Sequence, residues 1–218
     1  MLVCGIDEAG KGPVIGPLVI AGAMFEEEDL PKLKKIGVKD SKLLSINKIN
    51  ELAKEVKKIA KFYKIILVQP KEIDNAVEGN DGLNLNWLEG IKQTEIINEL
   101  KPDKVIIDCP SPNLKVFRNF ILKNLEHKPK SVIVEHKADF FHSCVSAASI
   151  LAKCKREEEV EKIEKMVGES IGSGYPSNPV CQRFLKNNYE KYPDLIRKSW
   201  STYKVLIDKK NQKTLVDF

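Results

Sequence analysis

Short apolar segments alternate with amphipathic segments along most of the chain, and this alternation constrains the fold more than any other feature. The apolar segments have the length and composition of β-strands, whereas the amphipathic segments carry apolar residues at helical spacing. The predicted strands are MLVCGIDE, PLVIAGAMF, KFYKIILV, DKVIID and SVIVEH. The predicted intervening helices run from an N-cap at Ser45, from about Leu85 to Leu100, and from about Asn113 to Asn124. This order predicts an α/β sheet with helices on its faces.

The two ends of the pattern differ from its middle. The first two strands follow one another across a short Gly/Pro turn, which indicates an antiparallel pair. From Asp139 onward the chain becomes helical, and a continuous helix is predicted for ADFFHSCVSAASILAKCKREEEVEKIEKMV. The loop GSGYPSNP follows it, and short helical pieces interrupted by prolines complete the chain.

Composition is that of an ordinary globular protein. The 218 residues are 42% hydrophobic and 31% charged, which is enough for one sizeable core. The longest apolar run, PVIGPLVIAGAMF, is too short to span a bilayer and no signal-like leader precedes it, so we expect no membrane association and a cytoplasmic location. The net charge of +5 is mild and does not by itself indicate a nucleic-acid partner. Five cysteines without a C-x-x-C pair indicate buried free thiols.

The stretch GIDEAGKGP, residues 5–13, is compatible with two different enzymes. Gly5, Gly10 and Lys11 match the beginning of the phosphate-binding pattern G-x-x-x-x-G-K-[ST]. The match then fails, because position 12 is Gly and a strand rather than a helix follows. Asp7 and Glu8 would also lie inside the phosphate cradle, where two like charges about 4 Å apart cost roughly 4 kcal/mol at an effective dielectric near 20. A nucleotide triphosphatase is therefore disfavoured.

Acidic residues at strand ends favour a metal site instead. Asp7 stands in an apolar strand, where an unpaired carboxylate is costly. Asp108 ends a second buried strand, at the edge where ligands bind in open α/β sheets, and Asp139 opens the helix of small residues. Together with Glu8 they form a set of hard oxygen ligands suited to two divalent cations, Mg²⁺ or Mn²⁺. Such a pair, roughly 3.5–4 Å apart, activates water and stabilises the leaving oxygen in phosphodiester hydrolysis.

Segments spread over nearly the whole chain resemble the signature segments of type 2 ribonuclease H (ribonuclease HII), in its archaeal branch. They are GIDEAGKGPVIGPLV, GVKDSKLLS, VIIDCPSPN, KADFFHSCVSAASILAKCKRE, and GSGYPSNP with SWST. The resemblance implies a ribonuclease H-like fold, with a mixed five-stranded sheet flanked by helices. It also implies a catalytic domain over residues 1–170 and a helical substrate-binding part over 171–218 that packs on it. The family's four metal-binding carboxylates correspond to Asp7, Glu8, Asp108 and Asp139.

The activity that the resemblance implies is endonucleolytic. It is cleavage of the RNA strand of RNA/DNA hybrids and of duplex DNA 5′ to an embedded ribonucleotide, which leaves a 3′-hydroxyl and a 5′-phosphate. A sliding clamp is a candidate accessory partner, and a monomer is expected. Two alternatives stay open at this point: a catalytically silent hybrid-binding module that retains the fold, and a small-molecule hydrolase built on a pair of carboxylates.

Five residues are predicted to contact the substrate. Gly10 and Gly12 would let the backbone approach the ribonucleotide, whose 2′-hydroxyl distinguishes RNA from DNA. Lys11 stands where the family usually has Arg; it keeps the charge but loses the planar fork, so we expect a phosphate contact with looser geometry and weaker recognition of a single ribonucleotide. Tyr175 matches the family's tyrosine that packs on the sugar, and Lys42, in KDSK, is a candidate phosphate contact.

Overall fold

The computed structural model describes residues 1–38, 44–79 and 82–216, with side chains as far as residue 209. The strands in this part of the chain are β1 (Leu2–Ala9), β2 (Leu18–Glu26), β3 (Phe62–Val68), β4 (Lys104–Asp108) and β5 (Ser131–Glu135). They form one mixed sheet in the order β3-β2-β1-β4-β5. β2 is antiparallel to both β1 and β3, whereas β4 is parallel to both β1 and β5. The predicted class, a mixed five-stranded sheet flanked by helices, is confirmed.

Helices connect the strands and form the C-terminal part of the chain. They are α1 (Leu30–Ile36), α2 (Ile46–Ile59), α3 (Pro70–Glu78), α4 (Leu85–Leu100), α5 (Leu114–Asn124), α6 (Ala138–Phe141), α7 (Ser143–Val167), α8 (Pro179–Asn188) and α9 (Ser201–Val216). The predicted N-cap of α2 is present, because Ser45 Oγ accepts the N–H of Lys48 at 3.4 Å. The sequence pattern missed α1 and α3. In α3, Pro70 occupies the first helical turn, where proline is well tolerated.

The prediction of one continuous helix from Ala138 to Val167 is wrong, because the helix is broken at His142. His142 is extended, with φ −120° and ψ 115°, and its carbonyl begins α7 by accepting the N–H of Ser146 at 2.9 Å. Its ring Nε2 lies 2.8 Å from Glu135 Oε2 at the end of β5. The break therefore places Asp139 on a short helix of its own, next to the ends of β4 and β5.

The sheet has a hydrophobic core on each face, and β1 contributes to both through its alternating side chains. Val3 packs in one core with residues of α1, α2 and α7, whereas Cys4 and Ile6 pack in the other with residues of α4 and α5. Gly5 lies directly under α7, since a Cβ at this position would come within 2.2 Å of the backbone carbon of Cys144. Glycine here allows α7 to pack close to the strand that carries Asp7.

A third hydrophobic cluster joins the C-terminal helices to the segment that follows β1. Val14 and Ile15 belong to this cluster, together with residues of α7 and α8. The backbone N–H of Val14 donates to the carbonyl of Gly174 at 2.8 Å, and its carbonyl accepts the N–H of Arg197 at 2.9 Å. The division of the chain near residue 170 stays a prediction. These contacts connect residues before that position with residues after it.

Two further sequence features have structural counterparts. All five cysteines are free thiols, four of them buried and Cys109 half-buried. None of the helices in the described residues combines the length and the apolar character that a membrane span requires.

Candidate active site

The parallel pairing of β1 with β4 brings two of the predicted acids to the same end of the sheet. Ile6 pairs with Ile107, so Asp7 and Asp108 follow at the next position of the register. Asp7 is 5% exposed. Its Oδ1 accepts the backbone N–H of Glu8 at 2.8 Å, and its carboxylate is also hydrogen-bonded by the side chain of Ser149 on α7. A carboxylate in the apolar core is thus held in one orientation.

Asp139 is brought to the same place by the connection from β5 to α7. Asp108 Oδ1 accepts the backbone N–H of Ala138 at 3.0 Å, which links the end of β4 to the start of α6. Lys137, just before this helix, has the left-handed conformation with φ 57° that a tight reversal requires. The hydroxyl of Ser146 donates to the carbonyl of Asp139. These bonds fix the backbone around Asp139 on both sides.

Burial and neighbouring charges both affect the pKa values of two of the acids, Asp7 and Glu8. Burial raises the pKa of Asp7 from 3.8 to about 7, and the neighbouring charges of Asp108 and Asp139 act in the same direction. Burial also raises the pKa of Glu8 well above its ordinary value, followed by the charges of Glu89 and Asp7. Burial and the neighbouring acids therefore both oppose ionisation of Asp7 and Glu8.

The donor set fits divalent cations. In the described part of the chain no three His, Cys, Asp or Glu side chains converge closely enough, as they stand, to hold a metal ion. One carboxylate oxygen of Glu8, Oε2, is nevertheless buried and has no hydrogen-bond partner among the described residues. Buried carboxylate oxygens that repel one another are stabilised when a hard divalent cation binds between them. The chemistry of these side chains therefore matches the predicted type of ligand.

The loop after β1 does not lead into a helix, which excludes the phosphate-binding loop considered above. Lys11 in this loop points into the protein. Its Nζ donates to Glu89 Oε2 at 2.7 Å, to Asn86 Oδ1 at 2.8 Å and to the carbonyl of Pro110 at 3.2 Å. Glu89 is fully buried on α4. The predicted contact of Lys11 with a phosphate stays a prediction, and in this structure all three ammonium donors have protein acceptors.

Two buried arginines hold the same loop through its backbone carbonyls. Arg197 donates to the carbonyls of Gly10 and Lys11, both at 2.7 Å, and to that of Gly16 at 3.0 Å. Arg156 donates to the carbonyls of Ile15 at 2.8 Å and Pro17 at 3.2 Å. Burial lowers the pKa of Arg197 to about 9, followed by the charge of Arg156.

A cavity of about 290 Å³ opens between Glu8, the only one of the four predicted acids that lines it, and the C-terminal part. Glu8, Gly10 and Lys11 line one side of it, and Arg156 and Tyr175 line the other. Tyr175 is 44% exposed. A Cβ on Gly12 would lie 3.0 Å from Tyr175 Cε1, so the absence of a side chain at position 12 lets the ring approach the loop. Gly10 has φ 82°, a conformation that favours glycine.

The structure brings together most of the residues predicted from the sequence, and it adds others. Gly10, Lys11 and Tyr175 line the same cavity as Glu8, and Gly12 lies against Tyr175, whereas Lys42 lies outside the described residues. Sequence reasoning missed Glu89, Ser149, Arg156 and Arg197. The available signal was the presence of only four arginines, at 118, 156, 183 and 197, in a chain otherwise rich in lysine. An arginine retained in such a chain indicates a need for its multi-donor fork.

Comparison with known proteins gives consistent matches. The model of the family described as Ribonuclease HII matches residues 4–203. Ribonuclease HII of Pyrococcus furiosus is 42% identical to this chain over 227 residues, which cover 100% of this chain and 98% of the relative.

Solved structures of similar proteins have the same fold. The crystal structure of ribonuclease H2 from Pyrococcus horikoshii OT3 matches with a TM-score of 0.86 and 40% identity, covering 96% of this chain and 98% of that one. Ribonuclease HII in a structure of the PCNA:RNase HII complex from Archaeoglobus fulgidus matches with a TM-score of 0.82 and 37% identity, covering 92% of this chain and 96% of that one.

Proposed function

The chain belongs to the ribonuclease HII family, and from that premise we propose that Asp7, Glu8, Asp108 and Asp139 form its metal-binding active site. Members of this family cleave the RNA strand of RNA/DNA hybrids and cleave DNA 5′ to embedded ribonucleotides, in a reaction that depends on divalent metal. This chain is accordingly an endoribonuclease H that binds RNA/DNA substrates. The alternatives of a silent binding module and a small-molecule hydrolase are set aside by this membership.

One observation carries the assignment of the site. The hydrogen bond from the Ala138 N–H to Asp108 Oδ1 joins the end of β4 to the helix that holds Asp139. Asp7 follows Ile6, the last residue of β1 that pairs with β4. The raised pKa of Asp7, caused first by burial and then by Asp108 and Asp139, supports the same grouping. We infer that the four carboxylates hold two ions, Mg²⁺ or Mn²⁺.

Residues of the chain orient the carboxylates that are proposed to bind the cations. When bound, the cations supply an activated water and stabilise the leaving 3′-oxygen. Ser149 and the N–H of Glu8 orient the carboxylate of Asp7, and the N–H of Ala138 orients that of Asp108. Of the four proposed metal ligands, Glu8 is the one that also lines the cavity. The products are a 3′-hydroxyl and a 5′-phosphate.

The cavity between Gly10 and Tyr175 is the proposed site for the ribonucleotide. There the protein backbone at Gly10, Lys11 and Gly12 approaches the 2′-hydroxyl of the ribonucleotide, and the half-exposed ring of Tyr175 packs on the adjacent sugar. Backbone groups suit this task because a 2′-hydroxyl is both a donor and an acceptor. Lys42 is proposed as a phosphate contact on sequence grounds alone.

Three broader expectations accompany this proposal. Residues 1–170 act as the catalytic domain and residues 171–218 as the part that contacts the substrate. A sliding clamp is an accessory partner, as the PCNA complex of the Archaeoglobus fulgidus relative suggests for this chain. The enzyme is a monomer in the cytoplasm.

Cleavage assays test the proposal directly. Purified protein is incubated with a labelled RNA/DNA hybrid and with duplex DNA carrying one ribonucleotide, in Mg²⁺, in Mn²⁺ and in excess chelator. Cleavage of both substrates with metal, none with chelator, and cleavage 5′ to the ribonucleotide in the second substrate are expected. An Asp7→Asn variant that still turned over at the wild-type rate would contradict the assigned site.

A further inference from the structure

The contact between Lys11 and Glu89 connects the proposed ribonucleotide-binding loop to the interior of the protein. An ammonium group has three N–H donors, and those of Lys11 meet three acceptors that are arranged around it. Two of these acceptors, Asn86 and Glu89, lie one turn apart on α4. The loop is therefore attached to a helix of the scaffold through a charged side chain.

Glu89 is an unusual residue for its position. Its side chain is 0% exposed, and a carboxylate so deeply buried is unfavourable unless a cation compensates it. Burial raises its pKa, whereas Lys11, followed by Arg197, lowers it. Its second oxygen, Oε1, has no hydrogen-bond partner among the described residues. An apolar residue would fill this place in the core at lower cost, so the carboxylate serves its contact with Lys11.

Further hydrogen bonds hold the backbone of the Gly10–Gly12 tripeptide. Arg197 donates hydrogen bonds to the carbonyls of Gly10 and Lys11, and the indole Nε1 of Trp200 donates to the carbonyl of Gly12 at 3.0 Å. The tripeptide is thus fixed by its carbonyls on one side and by the Lys11 side chain on the other. Groups that are held in this way can present backbone atoms to a ligand with little reorganisation.

We propose that Glu89, together with Asn86, is a positioning residue for ribonucleotide recognition, because it fixes Lys11 and thereby the backbone of the Gly10–Gly12 tripeptide. This inference rests on the proposed placement of the ribonucleotide at the tripeptide. It also explains the lysine at position 11, whose three donors match the three acceptors. A guanidinium has five donors in a rigid plane and does not match the same acceptors. Lys11→Arg is therefore expected to weaken recognition of a single ribonucleotide, which is the reverse of the expectation drawn from the sequence, where the acceptors of the Lys11 ammonium were not visible.

The test compares two substrates with one set of variants. The kcat/KM on duplex DNA with one ribonucleotide is divided by the kcat/KM on a long hybrid, because only the first substrate has a single productive register. Glu89→Gln keeps the volume and removes the charge, and it should lower this ratio at least about tenfold, since misplacement of reacting groups by about 1 Å costs roughly a hundredfold in rate. Lys11→Arg should also lower this ratio of kcat/KM values.

Two further variants separate positioning from general damage to the fold. Gln93→Met changes a buried polar residue one turn along the same helix that has no hydrogen-bond partner among the described residues, and it should leave the ratio within about twofold. The double variant Lys11→Met/Glu89→Gln should show a ratio no lower than Lys11→Met alone, because Glu89 acts through Lys11.

The opposite results overturn the inference. A lower Tm with an unchanged ratio in Glu89→Gln, or additive losses in the double variant, makes Glu89 a residue of the core only. Should Glu89→Gln fail to fold, Asn86→Ala provides a second test, because it removes one acceptor of Lys11 from a half-buried position. An unchanged ratio in Asn86→Ala also overturns the inference. A wild-type chain that cleaves neither substrate contradicts the proposed function, whereas an active enzyme with an unmoved ratio contradicts only the role of Glu89.

Discussion

Asp108 Oδ1 accepts the backbone N–H of Ala138 at 3.0 Å, so the side chain that ends β4 also anchors the short helix that carries Asp139. The carboxylate of Asp108 thus has two roles, anchoring of this helix and the proposed metal binding. The two roles can be separated, because a substitution can keep the hydrogen-bond acceptor while it removes the charge. The consequences for catalysis and for stability differ accordingly.

Substitution of Asp108 should distinguish the two tasks. Asp108→Asn keeps an oxygen that can accept the Ala138 N–H, whereas Asp108→Ala removes it. We expect both variants to lose cleavage of the hybrid, and only Asp108→Ala to lose about 0.5–2 kcal/mol of the free energy of unfolding, as for loss of a helix cap. Urea unfolding and a hybrid cleavage assay measure the two effects. Equal stability of the two variants would argue against the anchoring role.

Asp7→Asn and Asp139→Asn should each abolish cleavage while the fold stays intact. Removing one carboxylate weakens metal binding but relieves repulsion, so the metal-free variants should be as stable as the wild type or more stable. Saturating divalent metal at about 100 times its dissociation constant should stabilise the wild type by about 2.7 kcal/mol and the variants by less. Thermal unfolding with and without Mn²⁺ provides the measurement. An equal Tm increase in all three proteins would contradict the site.

The stability of the metal-free protein should depend on pH through Asp7. Burial raises the folded-state pKa of this carboxyl from 3.8 to about 7, so the folded state binds more protons than the unfolded state between these values. The contribution of Asp7 is therefore fully present below about pH 4 and is lost as the pH rises towards 7. Denaturation of wild type and Asp7→Asn between pH 4 and 8, in chelator, should show a shallower decline for the variant. Parallel curves for the two proteins would show that the pH dependence of stability does not come from Asp7.

Tyr175 should matter more for a single ribonucleotide than for a long hybrid. A hybrid offers many registers, whereas one embedded ribonucleotide offers one, so loss of the ring that packs on the sugar is felt mainly in the second case. Tyr175→Ala should lower the ratio of kcat/KM values about tenfold or more, and Tyr175→Phe, which keeps the ring, should lower it much less. The half-exposed position makes a large change in stability unexpected. A ratio that falls equally in both variants would assign the effect to the hydroxyl.

Arg197→Lys should destabilise the protein although it preserves the charge. The guanidinium donates to three carbonyls and is 0% exposed, and a lysine ammonium cannot reproduce that planar arrangement. Loss of at least about 2 kcal/mol is expected, since a hydrogen bond from a charged group contributes roughly 1.5–3 kcal/mol. Arg183→Lys, at an exposed position, is the matched control and should be neutral. Similar Tm values for both variants would show that the three bonds contribute little.

Several parts of the fold and the site follow from local sequence patterns. The apolar run that contains Val3, Cys4 and Ile6 predicts a strand, and Ser45 predicts the start of α2. Asp7 could be identified from the sequence because a carboxylate in an apolar strand is costly and needs compensation. In each case the physical cause lies within a few residues along the chain.

The sequence by itself therefore determined the order of the five strands and of the helices α2, α4 and α5, the acids at the strand ends and the glycines of the loop. The tertiary structure decided which side chains hold that loop: Lys11 and Glu89 are 78 residues apart, and Arg197 lies 187 residues from the Gly10 carbonyl that it binds. Such contacts leave no local pattern, because a buried arginine satisfied by backbone carbonyls places no requirement on the side chains it contacts. Hydrogen bonds to the main chain and compensation of a buried charge depend on which distant segments pack together, and packing of that kind exists only in the folded chain.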